Sequence, residues 1–208
     1  MYKMLFFAGV FQFCVLSGIA AQPVMYNDLS KKYFFKVIIS KTVSDSTGIY
    51  RNPDMTLLIL DRNKKIVQKI TYKAGPLFDT AFGNKKNSRS YTTGARENAE
   101  VTDYDYGDLV IADLNFDGRE DIAVKTDSGG DAGPWYTFFV QGSDGRFHKD
   151  NYLTDSVSSF PASINIKQLK LTTNYISSNG TSFEYIFSFN TQKGIWHKKF
   201  IKTTLKKS

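Results

Sequence analysis

Apolar residues in this chain return at every second position, a spacing that fits a pleated strand with one buried face and not a helix. Met55, Leu57 and Ile59 alternate with Thr56, Leu58 and Leu60. After the polar run Asp61-Arg62-Asn63-Lys64-Lys65 the pattern resumes at Ile66, Gln68, Ile70 and Tyr72, which predicts a hairpin. Further strands are expected over residues 33–40, 108–112, 121–126, 135–141, 167–173, 183–189 and 195–201, set apart by clusters of Gly, Asn, Asp and Ser. Phe183, Tyr185, Phe187 and Phe189 form an aromatic stripe on one strand, and Trp196 and Phe200, with Lys198 and Lys202 alternating, mark a partner strand near a sheet edge. No stretch carries a helical face. The expected fold is all-β, a single domain of antiparallel hairpins in a β-sandwich or propeller-like arrangement.

Composition agrees with one folded domain. The chain has 208 residues, of which 41% are hydrophobic and 15% aromatic, which excludes low-complexity and collagen-like classes. The polar segment 75–100, with Gly83-Asn84-Lys85-Lys86-Asn87-Ser88 in succession, is expected to be a long loop. The basic C-terminal end, Lys198, Lys199, Lys202, Lys206 and Lys207, reads as a solvated terminus.

The first 21 residues read as an export signal: Lys3 precedes an apolar stretch from Leu5 to Leu16, and Ser17-Gly18-Ile19-Ala20-Ala21 supplies small residues for cleavage. A mature domain of residues 22–208, periplasmic or extracellular, is expected. Beyond the signal no apolar run has the roughly 18 residues of a membrane helix, so no membrane span is expected. The single cysteine, Cys14, lies within the signal, and the mature chain must hold together by core burial and a metal clip in place of disulfides.

Charge is unevenly placed. The whole chain is +7, yet residues 97–131 hold 11 acids against Arg119 and Lys125. A uniformly basic surface would point to nucleic acid; an acidic centre in a basic chain points to a cation or a basic protein partner.

That centre contains Asp113-Leu114-Asn115-Phe116-Asp117-Gly118-Arg119-Glu120-Asp121. It places side-chain oxygens of Asp113, Asn115, Asp117 and Asp121 at loop positions one, three, five and nine, Gly118 at the sharp turn, and the Arg119 backbone carbonyl at position seven. A hard cation such as calcium takes roughly 6 to 8 oxygens, and short side chains on alternate positions of a tight loop converge on one point. Position twelve is Val124, where an EF-hand needs a bidentate Glu, so this loop belongs between strands. The expected role of calcium is structural.

Next comes Asp127-Ser128-Gly129-Gly130-Asp131-Ala132-Gly133-Pro134-Trp135-Tyr136, a small-residue loop ending in two large aromatics. The run 107–124, the Ser128-Gly129-Gly130 loop and the following aromatic strand that ends in Gly145-Arg146-Phe147 together resemble a family of exported bacterial calcium-binding envelope proteins related to periplasmic inhibitors of invertebrate-type lysozyme. The resemblance covers roughly residues 55–152. It implies that Asp113, Asn115, Asp117, Arg119 and Asp121 bind calcium. It further implies that Ser128 and Gly129 reach the catalytic carboxylates of a peptidoglycan hydrolase, with Asp127, Gly130, Asp131 and Tyr136 around them.

Catalysis by this chain itself is not expected. Glu97, Glu100, Asp103 and Asp105 supply carboxylates without an informative spacing, His148 and His197 are isolated, and no nucleophile elbow, phosphate loop or zinc spacing occurs. The alternative to the inhibitor is a calcium-stabilised adhesion or carbohydrate-binding module, with Trp135, Tyr136, Tyr91, Tyr104 and Tyr106 as a sugar-stacking strip. Burial of these rings would count against that strip.

Overall fold

The computed structural model describes residues 23–40, 46–78, 82, 86–130, 133–177 and 180–205. The expected export signal and Asp131 lie outside them. In chain order the strands are β1 Val24–Tyr26, β2 Phe34–Ser40, β3 Ile49–Tyr50, β4 Asp54–Leu60, β5 Ile66–Lys73, β6 Leu77–Phe78, β7 Ser88–Ser90 and β8 Leu109–Ala112. They continue with β9 Asp121–Asp127, β10 Trp135–Gln141, β11 Phe147–Lys149, a π-helical turn Leu153–Val157, β12 Ser163–Asn165, β13 Lys170–Ile176, β14 Thr181–Asn190 and β15 Ile195–Leu205.

These strands make three main sheets and a small β3-β6 pair: β1-β2-β4-β5, β11-β10-β9-β8-β7 and β12-β13-β14-β15. All pairings are antiparallel except β7 with β8. The fold is all-β, as expected, and the sheets do not close into a barrel.

The five-stranded sheet is the middle layer. Leu109, Ile111, Ile122, Val124 and Phe139 on one face pack with Phe35, Met55, Leu57 and Ile59 of the first sheet. Val110, Ala112, Ala123, Tyr136 and Phe138 on the other face pack with Leu171 and Phe187 of the third sheet and with Leu153, Val157 and Phe160. Coverage on both sides explains why Leu109-Val110-Ile111-Ala112 and Ile122-Ala123-Val124 are unbroken apolar runs, whereas β4 alternates. The layering is that of stacked sheets, so of the two expected arrangements the sandwich is the apt description.

The β4-β5 hairpin turns where the sequence places it. Asp61 Oδ1 accepts from the backbone N–H groups of Asn63 and Lys65, both at 2.9 Å, and Lys64 takes a positive φ of 64°.

Segment 75–100 departs from the expected loop. It contains β6 and β7, and Ser88, Arg89 and Ser90 are all buried beside β8. A Ser-Arg-Ser run carries no apolar signal; it is stabilised inside because the Arg89 guanidinium donates to the Tyr106, Ala99 and Glu100 carbonyls.

Candidate functional site

The β8-β9 connection is the Asp113-to-Asp121 loop, anchored at both ends by the middle sheet. Asp113 Oδ1 and Asn115 Oδ1 both accept from the Asp117 N–H, at 3.1 and 3.2 Å, so these two oxygens converge. Asp113 Oδ2 accepts from Gly118 N–H (2.9 Å) and Asp117 Oδ1 from Arg119 N–H (2.9 Å). Phe116 and Gly118 both have positive φ, 63° and 80°, which curls the loop around its own side chains.

Asp121 closes the loop from below. It is fully buried; Oδ2 accepts from the Leu114 and Asn115 N–H groups at 2.8 and 3.2 Å, and Oδ1 from Gln141 N–H at 2.9 Å. Burial pushes its carboxyl up to about 7, with the N–H donors working against the shift. Burial also raises Asp113. Arg119 lies across the outer side, bonding Asp117 Oδ2 at 2.5 Å and the Gln141 carbonyl at 2.8 Å.

The donor set is all oxygen, hard, and carried on Asx turns, which fits a cation such as calcium. Among the described residues no three His, Cys, Asp or Glu side chains are already gathered as a ready-made metal cluster. The loop's oxygens are instead held in place by backbone N–H donors.

The Ser-Gly loop follows β9 and is fastened to segment 75–78. Gly75 N–H bonds the Thr126 carbonyl (2.7 Å), Ser128 N–H bonds the Pro76 carbonyl (2.8 Å), and Phe78 N–H bonds Ser128 Oγ (2.9 Å). Asp127 Oδ1 accepts from Gly129 N–H at 2.7 Å. Gly129 has φ +63°, and a side chain there would overlap the Gly133 carbonyl. Gly130 is exposed, and a Cβ added to it would meet nothing within 4 Å.

The loop thus forms one wall of a cleft of about 430 Å³ whose other walls include Arg89, Asp105 and Tyr106. Tyr136, placed among the binding residues by the sequence reading, is 1% exposed. Its hydroxyl accepts from Tyr106 N–H (3.2 Å) and donates to the Gly107 carbonyl (2.9 Å), holding the cleft's far wall from behind. This corrects its expected role: alternation in β10 sends it into the core, where it supports the site without touching a partner.

The sugar-stacking strip does not form as expected. Tyr106 is buried with Tyr136, Tyr91 stacks on Phe160, and only Trp135 of that set is well exposed. Glu97, Glu100 and Asp103 are exposed, and Asp105 is bound to Lys125 Nζ at 2.7 Å. His148 contacts Asp144 in the open, and His197 lies exposed on β15.

Sequence reasoning missed a charged cluster beneath the cleft. Lys125 Nζ also bonds Asp108 Oδ1 at 2.8 Å, and Asp108, fully buried, accepts from Phe82 N–H at 2.8 Å. Asp108 directly precedes the apolar run of β8 and Lys125 directly follows that of β9, and a charge against such a run is the signal that could have found the pair.

No protein-family model, no curated protein and no solved structure matches the chain.

Proposed function

We propose that the chain is a noncatalytic, exported protein of the bacterial envelope that inhibits, or gives immunity to, a lysozyme-like peptidoglycan hydrolase. The observation that carries this reading is the fixed conformation of the Ser-Gly loop. A segment that enters an enzyme cleft binds best when its shape is set beforehand, because little conformational freedom is then lost on binding. Residues 126–130 meet that condition through their bonds to segment 75–78 and through Gly129, while Gly130 leaves the tip free of bulk. The Ser128 hydroxyl accepts from Phe78 and keeps its proton to donate. A lysozyme-like cleft contains two carboxyl groups, one of which would accept that proton while the loop excludes substrate.

The test is a peptidoglycan-lysis assay with a panel of lysozyme-type enzymes. A Cβ at Gly130 meets nothing within 4 Å, and Gly130→Trp should abolish inhibition that the parent protein gives. Equal inhibition by both proteins would place the contact elsewhere; no binding across the panel would overturn the reading.

In the same reading, calcium is held by Asp113, Asn115, Asp117, Asp121 and the Arg119 carbonyl, and it supplies positive charge among carboxylates that otherwise repel one another. Its contribution is rigidity next to the loop. Calcium at a hundredfold excess over its Kd should stabilise the fold by about 2.7 kcal/mol, read as a Tm rise of roughly 5–10 °C for a chain of this size. Asp117→Ala should remove that rise and leave the calcium-free Tm nearly unchanged. Equal losses with and without calcium would make the loop a metal-free turn.

A further inference from the structure

Trp135 is 52% exposed, although it begins the central strand β10. It is the first residue of β10, where the pairing with β9 shifts register between Trp135 and Tyr136. The chain's other tryptophan, Trp196, packs against Tyr152, Phe189 and Phe116. Trp135 has no aromatic partner among the described residues.

The indole separates two adjoining grooves, of about 300 and about 410 Å³, both of which reach Ser158. Opposite it, on the third sheet, stand Tyr175 and Tyr185. Tyr175 stacks on Phe183 with ring centres 5.0 Å apart, and Tyr185 packs on Phe200 at 5.5 Å, so both rings are held in fixed orientation. Among the described residues Val157 is the only aliphatic one in either lining; the others are aromatic rings, Ser and Thr hydroxyls, Lys198 and Asp155. The floor is the π-helical turn Leu153–Val157 and Ser158, whose φ of 55° is left-handed for a non-glycine residue. Ser158 is kept there by Tyr136 N–H, which bonds its carbonyl at 2.8 Å.

Lys198 decides the ligand's charge. Its ammonium sits 4.4 Å from the centre of the Tyr185 ring, at the end of the first groove, and no carboxylate pairs with it among the described residues. Lys202, after the irregularity in the β14-β15 pairing, bonds Glu184 instead.

We propose that these grooves bind an oligosaccharide carrying a carboxylate. The C–H faces of its sugar rings stack on Trp135 and on Tyr175 or Tyr185, its hydroxyls bond the Ser and Thr side chains, and its carboxylate pairs with Lys198. A peptide would call for aliphatic pockets or a free sheet edge; among the described residues the lining has one aliphatic side chain, and beside the grooves the β10 N–H groups of Tyr136 and Phe138 already bond the Ser158 carbonyl and Thr154 Oγ1. The site is separate from the Ser-Gly tip and does not rest on the inhibitor reading.

Calorimetric titration of the full chain with an oligogalacturonate, and with a neutral chitooligosaccharide of the same length, tests this. The acidic oligomer should bind and the neutral one should bind at least about tenfold more weakly. Lys198→Met should erase that difference. Trp135→Ala should weaken both, with at most a small fall in Tm because about half of the residue is exposed. Absence of binding to either oligomer, equal binding of both by the parent protein, or undiminished binding by Trp135→Ala would each overturn the proposal.

Discussion

Replacing Lys125 with Met should cost about 3–5 kcal/mol, because it strands the Asp108 carboxylate in the interior without its cation. Asp108 is fully buried and would keep only the Phe82 N–H as a partner. Burial already raises its carboxyl, with Lys125 opposing the shift. For Lys125 itself burial acts to lower the ammonium, and the Asp108 and Asp105 carboxylates more than reverse that. Remove Lys125 and the neutral form of Asp108 is favoured in the fold alone. The folded variant then binds more protons than its unfolded chain above about pH 4, so its deficit should grow as pH rises. Urea unfolding at mildly acidic and mildly alkaline pH measures this. Lys125→Met/Asp108→Leu should recover most of the loss, since a pair of apolar residues leaves no buried charge. A single-variant loss under about 1 kcal/mol, or a double variant no better than the single, would show that the pair is not held as described.

Alkali should unfold the protein over a narrow range. Tyr26 and Tyr136 are each 1% exposed, and burial raises both phenols well above their ordinary value. A group whose folded pKa lies above its unfolded value contributes stability that is intact below the unfolded pKa and lost as pH climbs through that interval. The interval here opens at about pH 10, where an unfolded tyrosine begins to ionise. Each phenol then withdraws about 1.4 kcal/mol per pH unit, so the two together remove about 5 kcal/mol by pH 12. Lys125, also raised, acts in the same direction. Denaturant midpoints should therefore be flat from neutral pH to about 10 and fall steeply beyond, with the share of phenolate absorbance that Tyr26→Phe removes appearing only on unfolding. Tyr26→Phe should reduce the slope; a phenolate difference between the folded parent protein and folded Tyr26→Phe would show that this ring is open to water.

Much of the architecture is legible in the chain because a strand with one buried face announces itself by alternation. The β4-β5 hairpin, with Met55, Leu57 and Ile59 inward and Asp61 turning the chain, is a local consequence of local residues. The short strands were not legible. β7 is Ser-Arg-Ser, and only the Tyr106 carbonyl and its neighbours, supplied from distant sequence, make its burial tolerable. The candidate site divides the same way. Spacing alone places Asp113, Asn115 and Asp117 on one loop, whereas the full burial of Asp121 depends on β10 lying over it and on Gln141 reaching its carboxylate. Tyr136 was misplaced because adjacent aromatics look alike in sequence, and only burial separates them, Trp135 exposed and Tyr136 in the core.

That the chain is built of strands, where its main turns fall, and which loop is rich in side-chain oxygens are all readable from the residues, since each follows from positions close to one another. Tertiary structure decided which sheet is the middle layer, that Lys125 and Asp108 share one buried pair, and that the Ser-Gly loop is fastened to segment 75–78. The physical reason is range: propensity and alternation act between neighbours, whereas the desolvation of a charge or an aromatic ring is fixed by whatever the rest of the chain lays over it.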